Sequence, residues 1–261
     1  MPSDKLPSSI SVFFPVYNDA GSIAKLVADV RSVLIGRFDD WEIILVNDGS
    51  QDESPRIVDA LAASDPRIRV VHHSQNRGYG GALKSGFANA RKELIFYTDG
   101  DGQYDPKELS LLLERIDEAD MVNGYKIRRS DNIVRKTVGR TYHFANRALF
   151  GIQTRDVDCD FRLFHRRVID AITLESDSGA ICVEMMAKVR ICGFNVIEVP
   201  VHHYARQYGK SQFFRPKHIT RTVLRIAHLW LLLVILGGKA KVKKMAEAAG
   251  RSAGPDREDG R

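Results

Sequence analysis

The sequence predicts an α/β protein built on a doubly wound, mostly parallel sheet. Four short runs, Ile10–Val16, Glu42–Val46, Ile68–His72 and Leu94–Tyr97, are almost continuously apolar, the pattern of strands buried on both faces. Between them lie three segments with helical spacing, Gly21–Leu34, Pro55–Ala63 and Gly80–Ala90. A β-α-β-α-β-α-β order implies right-handed crossovers and parallel strands. Ligands of such sheets bind beyond the carboxyl ends of the strands. Here an acid or amide follows each one: Tyr17-Asn18-Asp19, Asn47-Asp48-Gly49, Asn76-Arg77-Gly78 and Asp99-Gly100-Asp101.

The elements follow in order. Strand one ends at Val16 and leads into the first helix. Strand two is followed by Asp48-Gly49-Ser50-Gln51-Asp52, where Ser50 has the chemistry of a helix N-cap for Pro55–Ala63. The stretch NRGYGGALKSG, Asn76–Gly86, opens the third helix. It is neither a Walker loop nor a dinucleotide fingerprint, but its glycines bring backbone N–H groups to a helix start, where an anion is favoured, and Lys84 lies one turn in. The second half is less regular. Met121–Tyr125, Phe161–Phe164 and Val196–Val201 are expected strands, and Val134–Phe150 and Val183–Cys192 expected helices.

After strand four comes YTDGDGQYD, with three carboxylates in seven residues. Two like charges roughly 5 Å apart repel by about 3 kcal/mol at an effective dielectric of about 20. Either the segment is a solvated Asp/Gly turn or a cation sits there. Mg²⁺ and Mn²⁺ prefer oxygen ligands and are commonly held by one or two carboxylates together with substrate phosphates. Gly100 lets Asp99 and Asp101 face one ion, and Gln103 adds a carbonyl oxygen. The acids and amides at the other strand ends favour the cation.

Composition narrows the classes. The 261 residues suffice for one large α/β domain, and 44% hydrophobic with 28% charged residues is an ordinary globular make-up. The net charge of +6 suits nucleic acid, an anionic membrane or phosphorylated substrates. Nucleic acid is disfavoured: the cluster Lys126, Arg128, Arg129, Arg135 and Arg140 has only Tyr125 and Tyr142 for base stacking. Cys159, Cys182 and Cys192 have no CxxC spacing and are expected as free thiols of a reducing compartment. The pairs His72-His73 and His202-His203 lack zinc-ligand spacing. The N-terminus has no apolar signal region.

Taken together, PVYND at 15–19, VNDGSQDES at 46–54, NRGYGGALKSG at 76–86 and DGDGQYDP at 99–106 resemble the family-two, GT-A-type glycosyltransferases. The resemblance is strongest to the polyprenol-phosphate hexose synthases, such as dolichol-phosphate mannose synthases. It continues through NGYKIRRSD at 123–131, DVDCDFRLFHRRV at 156–168 and EVPVHHYARQYGKSQF at 198–213. It implies a GT-A fold and inverting transfer of a hexose from a GDP- or UDP-linked donor to a polyprenol phosphate on the cytoplasmic face of a membrane. Carried over by position, Pro15, Val16, Tyr17, Asp19 and Asp48 would hold the base and ribose. Gly78, Lys84 and Gly100 would flank the donor, and Asp99, Asp101 and Gln103 would hold Mg²⁺ or Mn²⁺. Lys126, Arg135, Arg206 and Lys210 would meet the acceptor phosphate. Many relatives carry Glu at the place of Asp19 and Asp at that of Asn47, which leaves the base open.

Chemistry fits this assignment. A lipid phosphate has a second pKa near 6, is mostly dianionic at neutral pH and attacks without a strong base, whereas a sugar hydroxyl needs one. The candidate bases are Asp156, Asp158 and Asp160; each has an alternative as a loop carboxylate paired with Arg155, Arg162 or Arg166. Transfer to a glycan or small-molecule hydroxyl is the alternative enzyme reading. A non-catalytic nucleotide-sugar-binding subunit is the third, disfavoured by the retained Asp99, Asp101 and Gln103.

The expected organisation is a tail at 1–8, the GT-A domain at 9–213, an interfacial helix at 214–238 and a basic, disordered tail at 239–261. The helix Ile219–Leu236 ends in LWLLLVIL, too short for a bilayer span of about 20 residues. It is expected either to dock on the domain or a second subunit, or to lie in a membrane interface. Basic residues upstream (Arg215, Lys217, Arg221, Arg225) and downstream (Lys239, Lys241, Lys243, Lys244) favour the interface.

Overall fold

The computed structural model describes residues 8–127, 146–206 and 216–248. Seven strands form one sheet: β1 (Ser9–Val16), β2 (Asp40–Asn47), β3 (Ile68–His72), β4 (Leu94–Thr98), β5 (Met121–Lys126), β6 (Phe161–His165) and β7 (Val196–Val201). Their spatial order is β3-β2-β1-β4-β6-β5-β7. Strands β1 to β4 are mutually parallel, β7 runs parallel to β5, and β6 is antiparallel to both β4 and β5.

The crossovers of the first half are α1 (Ile23–Leu34), α2 (Ser54–Ser64) and α3 (Tyr79–Asn89). Beyond β4 come α4 (Leu109–Leu113), a helix α5 of which residues 146–150 are described, α6 (Arg166–Asp170), α7 (Ala180–Ile191) and α8 (Pro216–Trp230). A π-helical turn, Leu231–Ile235, leads to α9 (Gly238–Ala248).

Alternation along β1 shows why the strand sequence is apolar throughout. Ile10, Val12 and Phe14 enter one core, between the sheet and α1 and α4, while Phe13 enters the other, with α3, α7 and α8. The second core holds an aromatic cluster. The Phe87 ring stands edge-on to Phe13, Tyr97 and Phe164 at centroid distances of 5.0, 5.6 and 5.8 Å.

Three expectations change. Ser50 does not cap α2. Its hydroxyl accepts from Asn18 N–H at 3.1 Å, and Asp52 Oδ1 accepts from Ser54 N–H at 2.9 Å instead. Ser50 thereby joins two strand ends rather than serving one helix. The helix after Pro216 is also both docked and apolar outside. Thr222, Ile226, Leu229 and Leu233 are buried, and all but the threonine join the second core. Val223, Leu224, Leu231, Ile235 and Leu236 are exposed.

Finally, α9 carries residues 239–248, expected in a disordered tail, into a helix. Its Lys, Ala, Met and Glu residues are strong helix formers, and Val242 packs on the second core. No single described helix is long and apolar enough to cross a membrane; the pair Thr222–Ile235 and Gly238–Lys244 passes by length and composition together but is bent by 78°. Most of the expected helix Val134–Phe150, including Arg135, and the position of Lys210 lie outside the described residues.

Phe87 touches three rings at once, so Phe87→Ala should cost about 3–5 kcal/mol. Phe87→Leu, which refills most of the volume, should cost much less. Urea unfolding midpoints test this; equal losses in the two variants would show that the ring geometry, not volume, is what counts.

Candidate active site

Four strand ends meet at one edge of the sheet, and their hydrogen bonds show how. Gly100 N–H donates to the Pro15 carbonyl at 3.2 Å, and Ser22 Oγ donates to the Gly100 carbonyl at 2.6 Å. A Cβ on Gly100 would lie 2.7 Å from Pro15 O and 3.2 Å from Asp19 Oδ2. Only glycine lets the Asp99–Asp101 loop lie directly on the end of β1. Asn18 adopts a positive φ of 57°, and its side chain accepts from Gln51 N–H at 2.8 Å.

Asp48 organises the neighbouring turn. Its Oδ1 lies 2.6 Å from His73 Nδ1 and accepts from Arg77 N–H at 2.8 Å, while His73 Nε2 reaches Ser85 Oγ at 2.8 Å. His73 is thus a fixed orienting group, which its HH pairing in the sequence did not reveal.

The acids form a partly buried cluster. Asp99 Oδ1 accepts from the Tyr79 hydroxyl at 2.8 Å. Burial, and then repulsion from Asp160 and Asp101, pushes the Asp99 carboxyl well above the usual range. Asp101 Oδ1 accepts from Gln103 N–H at 3.0 Å, and its Oδ2 takes two N–H groups from Arg206 at 2.5 and 3.1 Å. Asp160 accepts from Cys182 Sγ at 3.2 Å and from the Tyr97 hydroxyl at 3.3 Å. Burial chiefly, aided by Asp101, raises Asp19 from 3.8 to about 7, although Tyr17 N–H and Arg206 pull it down. Asp158 is likewise raised to about 7 by burial, against the pull of Lys126.

Lys126 faces Asp156 at 3.8 Å; its Nζ also donates to the Asp158 carbonyl at 2.8 Å. Burial alone would depress Lys126, but Asp156 and its neighbours hold it above its usual value.

The arginines considered as partners for these acids make their hydrogen bonds elsewhere, although Arg162 still draws Asp158 down through its charge. Arg155 lies over the Tyr125 ring at 4.8 Å, and Arg166 donates to the Lys92 carbonyl at 2.7 Å. Arg162 is fully buried, donates to Asn123 Oδ1 and the Tyr97 hydroxyl at 2.9 Å each, and also to the Val157 carbonyl. It ties the 156–160 loop to the sheet from below. A lone Arg within the apolar FRLF strand was the one sequence signal for this role.

Two expected donor groups face elsewhere. Lys84 Nζ binds Asp177 at 2.5 Å and the Glu175 carbonyl at 3.1 Å. The Gly78 N–H donates to Asn76 Oδ1 and the Gly80 N–H to the Asp177 carbonyl. A Cβ on Gly80 would lie 2.2 Å from Ser176 O. These glycines let α3 pack against the 176–177 backbone, which occupies the helix start. The Gln103 amide donates to the Tyr204 carbonyl at 3.0 Å, and Tyr204 N–H returns a bond to the Gln103 carbonyl at 2.8 Å.

Among the described residues no three His, Cys, Asp or Glu side chains form a closed metal cage. The donor set nevertheless suits a hard divalent cation that keeps water and takes substrate phosphates, because Asp99 and Asp101 place carboxylate oxygens on one loop. Asp101 already attracts the Arg206 cation, and the raised Asp99 is a carboxyl short of positive charge.

The class that the seven-stranded mixed sheet defines is the GT-A fold. The family model described as glycosyl transferase family 2 matches residues 11–173, and the chain belongs to that family. It is 32% identical over 209 residues to an undecaprenyl-phosphate 4-deoxy-4-formamido-L-arabinose transferase of Enterobacter sp. strain 638. That alignment covers 78% of this chain and 62% of the relative, so the chain spans less than two thirds of the relative's length. Glucosyl-3-phosphoglycerate synthase of Mycobacterium tuberculosis in complex with phosphoglyceric acid shares the fold, with a TM-score of 0.63 and 20% identity over 86% of this chain and 79% of that one. The same enzyme with Mn²⁺, uridine diphosphate and glucosyl-3-phosphoglycerate gives a TM-score of 0.62 at 19% identity, again over 86% and 79% of the two chains.

Because Asp19 is raised, its stabilising effect is full below pH 3.8 and is lost as pH rises to about 7. Asp19→Asn should therefore gain Tm over the wild type progressively between pH 4 and 7, and by a constant amount above. A difference independent of pH would mean that Asp19 does not titrate in this window.

Proposed function

We propose that this chain moves a hexose from a nucleotide-diphosphate sugar, GDP- or UDP-linked, to a polyprenol phosphate at a membrane surface, with inversion and with a divalent metal. The observation that carries this reading is the convergence of Asp19, Asp48, Asp99 and Asp101 at the strand ends with Lys126 beside the 156–160 acids. It is supported by the relative acting on undecaprenyl phosphate and by fold neighbours crystallised with uridine diphosphate and Mg²⁺ or Mn²⁺.

In this reading Pro15, Val16, Tyr17, Asp19 and Asp48 hold the base and ribose. Asp99 and Asp101 hold the metal, which when bound neutralises charge on the departing diphosphate. An oxygen of the acceptor phosphate attacks the anomeric carbon; the bond to the donor diphosphate breaks, and the nucleoside diphosphate leaves with the electron pair. Lys126 screens the incoming phosphate, and Arg206 serves the same end from the 202–206 segment; Arg135 and Lys210 are the further candidates of this group. No protein base is needed for a dianionic nucleophile. The exposed apolar stripe of α8 and the lysines of α9 suit an in-plane membrane contact.

A second reading rests on Asp158. A carboxyl raised to about 7 suits a general base for a hydroxyl acceptor.

Radiolabelled UDP- and GDP-sugars, supplied with Mn²⁺ and undecaprenyl phosphate, should yield product that partitions into organic solvent. Loss of that product in EDTA is expected. Asp101→Asn should lower transfer about 100-fold or more, since charge stabilisation lost at a developing anion has that magnitude. Full activity in either case sinks the metal assignment. Lys126→Gln should raise the KM for lipid phosphate and leave nucleotide affinity nearly unchanged; the opposite pattern would move Lys126 to the donor side. Transfer to water-soluble hydroxyls alone, abolished by Asp158→Asn, would favour the second reading.

A further inference from the structure

A cleft of about 370 Å³ lies between the end of α7 and the start of α9, lined by Arg190, Ile191, Lys239, Ala240 and Lys243. Three of its five lining residues are cations, and none is an acid. None of the three cations has a carboxylate partner among the described residues. Lys239 and Lys243 are one helical turn apart and so share a face of α9. Arg190 is held in place: its Nη1 donates to the Phe150 carbonyl at 3.0 Å, and Gly151 closes against the guanidinium so tightly that a Cβ there would lie 2.6 Å from Nη1. A fixed guanidinium with two ammonium groups opposite is the chemistry that binds a phosphate ester.

The surroundings are apolar on one side. Ile235 and Leu236 are exposed, and the chain turns through Gly237 directly into the lysine-bearing helix. Cationic cleft and apolar corner thus sit within a few residues of each other, as a lipid with a charged headgroup and acyl chains requires. The cleft is distinct from the acid cluster. Cys182, near the start of α7, touches Asp160, and Arg190 lies eight residues further, about 12 Å along the helix.

We propose that this α7–α9 cleft binds the phosphate headgroup of an anionic membrane lipid, with the Ile235–Leu236 corner against the acyl region. It rests on the membrane reading given above and adds to it a defined site, which includes a residue of the catalytic domain's own α7. One rigid helix would then set the height of the acid site above the bilayer.

The full chain is sedimented with vesicles of phosphatidylcholine alone or with phosphatidylglycerol added. Wild type should bind the anionic vesicles and not the neutral ones. Arg190→Gln/Lys239→Gln/Lys243→Gln should lower that affinity on the order of 100-fold, as roughly 1 kcal/mol for each of three cations implies. The charge-matched control Arg37→Gln/Arg56→Gln/Arg91→Gln, at exposed cations outside α8 and α9, should lose much less. Lys239→Gln/Lys243→Gln leaves the Arg190–Phe150 bond intact and serves if the triple variant unfolds. Equal losses in cleft variant and control would overturn the site while leaving membrane association standing. Failure of the wild type to bind any vesicle would overturn both. Saturable calorimetric binding of inorganic phosphate, lost in the cleft variant and without vesicle retention, would assign the cleft to a soluble phosphate instead and overturn the lipid.

Discussion

Carboxylates that must lie close together and partly out of water are the constraint around which this molecule is arranged. The parallel register of β1 with β2 and β4 brings Asp19, Asp48 and Asp99 to one edge, and Gly100 seats the Asp99–Asp101 loop on the end of β1. Left alone, these charges repel. The protein relieves the repulsion in three ways: Arg206 binds Asp101, Lys126 faces Asp156, and Asp19, Asp99 and Asp158 are driven toward their protonated forms. Each is a place where incoming positive charge, or a ligand that brings it, finds favourable energy.

The second half of the chain serves this edge. Arg162, on the antiparallel strand β6, pulls the 156–160 loop onto the sheet through Asn123, Tyr97 and the Val157 carbonyl. Burying one guanidinium is costly unless its donors are satisfied, and here each terminal nitrogen and Nε has an acceptor. The 202–206 segment returns across the site, bound to Gln103 in both directions and to Asp101 through Arg206. Two of the three oxygen ligands anticipated for a metal are therefore in contact with one segment that can move away from them only by breaking those bonds.

Helix α7 joins this chemistry to the far side of the domain. Ten of its twelve residues, Ala180–Val189, are buried, which makes it a rigid member of the second core. That core also receives α8 through Ile226, Leu229 and Leu233, leaving the opposite apolar stripe of α8 bare. A helix with two apolar faces and a basic successor leaves apolar surface that water alone disfavours.

The strands, the crossover helices and the acids at the strand ends were legible in the sequence, because apolar periodicity and local turn chemistry are properties of neighbouring residues. So was the run of motifs that resembles family two. The sequence could not say that Ser50 bonds Asn18 instead of capping α2, that Lys84 turns to Asp177, or that the glycines of NRGYGG make room for the 176–177 backbone. Nor could it tell that Lys126 faces Asp156, or that 238–248 folds into a helix with Val242 on the core. Each of these depends on which distant segment arrives alongside, and on burial that raises Asp19, Asp99 and Asp158 only once the sheet has closed over them. Sequence determined which chemical groups stand at the strand ends; tertiary packing decided their partners and protonation, because charge interactions act through space and the dielectric around them is set by the fold.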